Sequence, residues 1–380
     1  MKKLLLTALV MTYAVFSMSI AKAEISLSGY QEFYSVSVDQ TTAAGLDQST
    51  QTDNARSGLS NGRFTRVIAN ASTTLDNGIE VTAVYAISKD GAASGDTDTN
   101  VVAVNENALY LKGSFGSLGI GNMFSAGTMV HNRGTTLIPT AEPDNNAFGY
   151  YPTGGGATGG YGAFDEAGYA LDGMKIRWDS NVYQGFSAAV SYESCMEKNT
   201  GSSSNVDCNG GTITNYDDVI DVAIKYAGSM EGVDYSLTYG NTTGNTQISA
   251  ATEYNDLEAH VYSASISAAG LTAVFKHHSY GDSGLDKSET TDGDGEGTVT
   301  AIKYTTGNVT IGYVHAETQI KYSTNAANSS MEEDIFGVGY NLGGGVMLEA
   351  SHGSKEEIGG ADSLKDTEAD VSVLKLSFGF

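Results

Sequence analysis

The last ten residues, VSVLKLSFGF at positions 371–380, decide the fold class. Apolar side chains alternate there with small or polar ones up to the final residue. The apolar positions are Leu374, Leu376, Phe378 and Phe380, and the intervening positions are Lys375, Ser377 and Gly379. Because a period of two places alternate side chains on opposite faces of a β-strand, this segment is predicted to be a strand with one apolar face.

The same period recurs along the chain in segments of about ten residues. In residues 185–195 one face carries Phe186, Ala188, Val190 and Tyr192. Residues 233–241 repeat the pattern with Val233, Tyr235, Leu237 and Tyr239. No long segment has the periodicity of an amphipathic helix. The sequence therefore predicts an all-β protein.

Short turns containing Gly or Asn divide the chain into pairs of strands. The turns lie at residues 76–78, 115–116, 183–185, 230–232, 269–270, 306–308 and 343–345. Glycine and asparagine accept the positive φ angles that tight hairpins need. The predicted strands span residues 25–38, 61–75, 79–89, 102–113, 117–124, 169–179, 185–195, 217–227, 233–241, 256–267, 270–280, 297–306, 308–318, 333–342, 345–354 and 368–380. Longer polar loops connect the pairs, so both chain ends lie on the short-turn side.

Two architectures fit this pattern, because a soluble sandwich points its apolar faces inward and a membrane barrel points them outward to lipid. Strands of about ten residues, tilted by about 40°, cross an apolar band about 25 Å tall. The loops at one end are much longer than those at the other, and closure leaves no strand edge unpaired in lipid. We therefore expect a transmembrane antiparallel β-barrel of sixteen strands. Its early strands, with Arg63, Arg66 and Glu80, have a weaker apolar face, which suits a wall covered by protein.

Residues 1–23 have the organisation of a cleaved signal peptide. Lys2 and Lys3 precede an apolar run, and Ala21 and Ala23 supply small residues before Glu24. An uncleaved anchor helix is the alternative, but the run is short for a helix that needs about 20 apolar residues. The expected mature domain is therefore a single barrel over residues 24–380, exported to the outer membrane.

The mature chain is strongly acidic. Residues 1–23 hold three lysines and no acid, so their removal leaves 17 basic against 45 acidic side chains, a formal charge of −28. A surface of this charge repels phosphate backbones, which argues against binding to nucleic acid.

The combined features resemble the Gram-negative general porins. They are the terminal Phe380, the sixteen strands, the segment Tyr110–Asn122 with FGSLGIG at residues 115–121, and the long loop that follows it. The resemblance implies an outer-membrane channel for small hydrophilic solutes and ions, formed by a homotrimer in a bilayer that contains lipopolysaccharide. It also implies that the terminal aromatic is an assembly signal. Several relatives carry Arg just after the equivalent of Gly121, where this chain has Asn122.

The connection from about Ser125 to Gly168 is the longest in the chain and holds all three prolines, Pro139, Pro143 and Pro152. Proline stiffens a loop, and structureless loops of this length are usually functional. In porins the loop between the fifth and sixth strands folds into the barrel, so we expect this loop to narrow the pore.

The predicted constriction has acids on the loop and bases on the barrel. The acids are Glu142, Asp144, Asp165 and Glu166. Strand parity aims Arg66, Lys112, Lys175 and Arg177 into the lumen, with Arg63 near the same wall. Opposed charges create a transverse field that orients solutes and sets ion preference. The overall charge and Asn122 favour a preference for cations.

We expect no enzymatic activity, because no local triad pattern accompanies the six histidines. An outer-membrane protease or phospholipase, or a plugged surface barrel, is the alternative function. Ion conductance would support the pore, and hydrolysis of a lipid or peptide probe would support the enzyme.

Three smaller features carry separate predictions. Cys195 and Cys208 lie in a stretch rich in Ser, Asn and Gly, and export to an oxidising compartment favours a disulfide between them. No metal cofactor is expected, although Asp292, Asp294 and Glu296 leave a weakly bound Ca²⁺ as an alternative. The twelfth position of that segment is Lys303, where an EF-hand needs Glu. His277, His315 and His352 are expected near the outer strand ends on the lipid-facing side.

Overall fold

A computed structural model describes residues 23–42, 58–91, 103–127, 173–197, 215–246, 253, 255–283, 287, 294–321, 329–359 and 367–380. Its regular structure consists of sixteen strands and a helical turn that begins at residues 126–127. The strands are β1 (Glu24–Thr42), β2 (Gly58–Thr74), β3 (Glu80–Gly91), β4 (Ala103–Gly113), β5 (Gly116–Met123), β6 (Gly173–Asp179), β7 (Phe186–Glu197), β8 (Asn215–Met230), β9 (Val233–Thr246), β10 (Leu257–Ala268), β11 (Leu271–Gly281), β12 (Asp294–Thr306), β13 (Val309–Lys321), β14 (Ser329–Gly343), β15 (Val346–Gly359) and β16 (Thr367–Gly379). No helix among the described residues is long and apolar enough to cross a membrane.

The sixteen strands form one closed antiparallel barrel. Each strand pairs with its neighbours in sequence, and β1 pairs with β16 to complete the ring. At this seam the backbones of Gly29 and Phe380 exchange two hydrogen bonds of 3.0 Å. Gly29 has to be glycine, because a Cβ there would lie 2.3 Å from the carbonyl oxygen of Arg66. The predicted terminal strand is therefore confirmed, and it closes the barrel.

All sixteen predicted strands and all seven predicted turns are confirmed. The turn glycines have the expected positive φ, for example 82° at Gly78 and 81° at Gly232. The strand ends next to the long loops were placed less well, since β9 continues to Thr246 and not to residue 241. Polar residues dominate these ends, so no apolar face marks them in the sequence.

Exposure alternates along the strands and shows which face points outward. On β6, Lys175 and Arg177 are 3% and 6% exposed, whereas Ile176 between them is 50% exposed. Large apolar side chains occupy the exposed positions on most strands, and charged or hydroxyl side chains occupy many of the buried ones. This arrangement is that of a membrane barrel, with an apolar outer surface and a polar interior.

Aromatic side chains gather at two levels of the outer face. Near the short turns, the Phe186 and Tyr226 rings lie 4.6 Å apart and the Tyr226 and Tyr235 rings 6.0 Å apart. Further along the same strands, the Tyr239 and Tyr262 rings lie 5.2 Å apart. Such aromatic girdles mark the two interfaces of a membrane with water.

One side of the barrel interior carries a cluster of apolar side chains next to buried charged ones. A cluster of buried side chains covers the inward positions of β1, β12, β13, β14 and β16, and we call it the apolar wall. Its members are Tyr34, Val36, Val38, Val299, Ala301, Val314, Ala316, Ile335, Ala369, Val371 and Val373. The inward positions of β6–β9, across the barrel, carry most of the buried hydrogen-bonding groups described next.

Candidate functional site

Four inward-facing side chains form a row across β6, β7, β8 and β9. The strand register places Arg177 beside Ser191, Ser191 beside Asp221, and Asp221 beside Thr242. Their exposed fractions are 6%, 3%, 1% and 0%. We call these four residues the docking row, because the chain that leaves β5 contacts the first three of them in order.

The residues after β5 bind along the docking row through their backbone. The Arg177 guanidinium donates to the Phe124 carbonyl oxygen at 2.9 Å. The next two contacts are made by the Ala126 N–H, which donates to Ser191 Oγ at 3.0 Å, and the Gly127 N–H, which donates to Asp221 Oδ2 at 2.5 Å.

These contacts carry the chain from β6 to β8 inside the barrel. Ala126 and Gly127 begin a helical turn, so their N–H groups are donors that have no partner within the helix. Ser125 and Ala126 are completely buried. The long connection therefore begins within the lumen, as predicted for residues 125–127, whereas residues 128–172 lie outside the described part of the chain.

Asp221 is the most heavily bonded member of the docking row. Its Oδ2 accepts from Gly127, and its Oδ1 accepts from the Thr242 hydroxyl at 3.1 Å. The Ser125 hydroxyl also hydrogen-bonds to this carboxylate. Asp221 therefore contacts this segment through two groups, Gly127 N–H and the Ser125 hydroxyl, whereas Arg177 and Ser191 each contact it through one.

The basic side chains on this wall are held by acids. Lys175 Nζ lies 2.6 Å from a carboxylate oxygen of Glu193, and both side chains are almost fully buried. Arg177 Nε lies 3.0 Å from Asp179, and its guanidinium lies 6.0 Å from the centre of the Tyr110 ring. Two ion pairs therefore lie on this side of the pore, Lys175 with Glu193 and Arg177 with Asp179.

A second charged cluster lies on the opposite side, at the β1–β16–β15 seam. Lys375 Nζ is 3.1 Å from Glu32 and 2.7 Å from Glu349. One lysine between two carboxylates leaves this cluster with an excess of negative charge.

The structure brings together two of the predicted constriction bases and disperses the others. Lys175 and Arg177 face inward next to the start of the connection. Arg66 also faces inward, beside Ser88, but on β2. Lys112 has inward parity and is exposed at the short-turn end, where its register partner is Glu80.

The prediction that Arg63 lines the pore is wrong. Arg63 pairs with Phe33, an outward side chain that is 52% exposed, whereas Gly62 pairs with the buried, inward Tyr34. The Arg63 side chain therefore points to the outside of the barrel. Asn122 pairs with Met174, an outward side chain that is 58% exposed, but Asn122 itself is only 8% exposed.

Several predicted residues lie outside the described part of the chain. These are the loop acids Glu142, Asp144, Asp165 and Glu166, together with Cys208 and Asp292. The backbone of Cys195 is on β7, opposite Asp217 of β8. Asp294 begins β12, and Glu296 on the same strand accepts a hydrogen bond from Gln319.

His277, His315 and His352 all have outward parity, as predicted, but only His277 lies towards the loop end of its strand, since His315 and His352 are at the middle of β13 and β15. The structure adds that His315, Glu332 and Asp334 place one ligand atom each within 4.8 Å of one another. His315 Nδ1 already lies 3.0 Å from Asp334 Oδ1 as a partly buried hydrogen-bonded pair.

Sequence reasoning missed most of the docking row. Asp221 and Ser191 were not singled out, although each has large apolar neighbours in sequence, Ile220 and Val222 for Asp221 and Val190 and Tyr192 for Ser191. A charged residue at inward parity in the middle of a barrel strand is a usable signal. Its partner was not visible, because Gly127 is far away in sequence.

The comparisons with known proteins agree with this architecture. No curated protein matches the chain significantly. Among solved structures, a loop L8 deletion mutant of OmpT, an outer membrane protein of Vibrio cholerae, is 10% identical with a TM-score of 0.59. Two mutants of Rhodopseudomonas blastica porin are 16% and 14% identical with TM-scores of 0.56 and 0.55. Each alignment covers 94% of this chain and 100% of the other, so the fold is shared along almost its whole length.

A family model described as Gram-negative porin matches residues 6–359, which is most of the sequence. The match includes the strands that carry the docking row and the segment bound to it. The chain belongs to the Gram-negative porin family.

Proposed function

We propose that this porin is a diffusion channel for small hydrophilic solutes and ions and that it prefers cations. The observation that carries the channel proposal is the start of the long connection inside a closed barrel, where Ser191 and Asp221 bind its backbone. A wide barrel that is narrowed by an internal segment and lined by charged groups is suited to diffusion of polar solutes.

The cation preference rests on how the interior charges are arranged. Lys175 is neutralised by Glu193 and Arg177 by Asp179, while Lys375 is shared by two carboxylates. The whole chain adds a formal charge of −25, or −28 once residues 1–23 are removed. Charges beyond about 10 Å from the path are screened at 0.1 M salt, so the groups on the pore wall decide the preference.

The constriction proposal extends to the connection itself. In this proposal Glu142, Asp144, Asp165 and Glu166 face the bases Arg66, Lys175 and Arg177 across the narrowest part of the pore. The transverse field between them would orient dipolar solutes as they pass.

Reversal potentials across a planar bilayer in a salt gradient test the proposal. We expect a cation-selective reversal potential for the wild type. Replacing Glu142 and Asp144 by the amides should weaken the selectivity, and Arg66→Gln or Arg177→Gln should strengthen it. An anion-selective pore contradicts the cation preference, and an absence of conductance contradicts the channel itself.

An outer-membrane enzyme remains the alternative class of function. The family and fold favour a channel without catalysis. The two are distinguished by incubating the purified protein with a lipid and a peptide probe, because hydrolysis of either would favour the enzyme. A plugged surface barrel would show neither hydrolysis nor conductance.

We also propose that the channel is a homotrimer embedded in a bilayer with lipopolysaccharide. Three successive outward positions of β2 are small, namely Val67, Ala69 and Ala71, whereas β7–β16 carry large apolar side chains on the lipid side. A wall of small side chains suits contact with another subunit. Chemical cross-linking of intact outer membranes should then give a trimer band.

Processing is proposed to leave Glu24 as the first residue and to join Cys195 to Cys208. Intact-mass measurement of protein from outer membranes checks the first point, since retention of residues 1–23 would contradict it. Alkylation of denatured, non-reduced protein checks the second, and labelling of both thiols would exclude the disulfide. A loop of this size would contribute about 3 kcal/mol by chain-entropy reasoning.

A further inference from the structure

We infer that Asp221 is a positioning residue that holds the chain after β5 against the inner wall and so sets the open cross-section of the pore. This inference rests on the proposed channel function. It concerns only the described residues Phe124–Gly127 and the wall to which they bind.

The need for a carboxylate at this place follows from the backbone. Ala126 and Gly127 are buried, so their N–H groups must find acceptors away from bulk water. Neither N–H has a partner within the helical turn that these residues begin, because the first N–H groups of a helix lie ahead of any helical acceptor. Ser191 supplies one acceptor and Asp221 the other.

Asp221 is better placed than its neighbours to fix the segment. It binds Gly127 through one oxygen and Thr242 through the other, and it also bonds to the Ser125 hydroxyl. Two of these three partners belong to the segment and one to the wall. The carboxylate is therefore a bridge between them, whereas Ser191 provides a single neutral hydrogen bond.

Asp221 lies at a depth in the barrel where the bridge can affect the width of the pore. The residue lies near the middle of β8 (Asn215–Met230), and its row partners Ser191 and Thr242 lie within β7 and β9. The segment is thus held at mid-depth, where an internal element narrows the path for every solute. If the bridge is lost, the segment can leave the wall and the cross-section changes.

The test compares Asp221→Ala and Asp221→Asn with Glu349→Gln. Glu349 is a buried inward carboxylate on the far side of the barrel, so its variant removes the same charge without touching the segment. We expect both Asp221 variants to raise single-channel conductance by about twofold, since conductance follows the open cross-section. They should also admit larger neutral sugars in a liposome-swelling assay, and Glu349→Gln should not.

Neutral solutes separate positioning from charge. If the Asp221 variants change ion selectivity as Glu349→Gln does but leave the neutral-sugar size limit unchanged or smaller, Asp221 acts only as a fixed charge and the inference is overturned. If Asp221→Ala fails to assemble, Asp221→Asn and Ser191→Ala are compared with Glu349→Gln instead, because each is a smaller change. A wild-type protein without conductance would overturn the channel proposal separately.

Discussion

The inner faces of β6–β9 and of β1 with β12–β16 follow the same alternation but are built differently. The docking row on the first face presents hydrogen-bonding side chains, and three of its four members bind the backbone of residues 124–127. The apolar wall on the second face presents mostly Val and Ala, such as Val36 and Val371, which are both completely buried. The first face therefore holds a segment by directional bonds, whereas the apolar wall packs beside the charged cluster of Lys375, Glu32 and Glu349.

The difference shows that inward parity alone does not define a pore lining. A polar inward residue can serve the solute path, as proposed for Arg66, or can bind another part of the chain, as Asp221 does. The two walls should consequently respond to mutation in different ways. Changes to the inner face of β6–β9 should alter the pore. Changes to the apolar wall should alter stability without altering ion selectivity.

The largest expected effect on stability is at the inner face of β6–β9. Lys175→Met leaves the buried Glu193 without its cation and should reduce the free energy of unfolding by about 3–5 kcal/mol. Denaturant unfolding in detergent, followed by the fluorescence of Trp178, the single tryptophan, measures it. Lys375→Met is the matched variant on the other side, and it should cost less because Glu32 and Glu349 are more exposed. Equal losses would remove this distinction between the two walls.

The apolar wall should show a large effect on stability alone. Ile335 is 4% exposed within the cluster, and Ile335→Ala should reduce the free energy of unfolding by about 2–5 kcal/mol through lost burial and a residual cavity. The same unfolding assay applies, and reversal potentials should match those of the wild type. A changed ion selectivity would show that this wall contributes to the conduction path.

The smallest expected effect isolates one neutral bond of the docking row. Ser191→Ala removes the acceptor of the Ala126 N–H and should cost about 0.5–1.5 kcal/mol. The neutral-sugar size limit should rise less than in Asp221→Asn, because Asp221 still holds Gly127. Ser187→Ala is a suitable control, since Ser187 lies outside the row near the short turn on the same strand. If both serine variants behave alike, the row has no special role.

The sequence by itself determined the strands, the turns and the direction of the apolar face. These features depend on neighbouring residues only: the period of two in Leu374 to Phe380, and the turn glycines such as Gly78 and Gly232. Local rules placed them correctly because a strand in lipid must expose apolar side chains at alternate positions, and a short turn needs residues that accept positive φ. The loop-side ends were less certain, because no apolar face continues there.

Only the tertiary structure decided which polar residues meet. Asp221 finds Gly127 because closure and register place β8 two strands from β6 and aim both groups into the same space. Arg63 and Arg66 lie on the same strand but face opposite sides of it, because a shift of one residue moves a side chain from the lumen to the outside. Charges separated by many residues come together through the strand register, and a sequence contains no local record of that register.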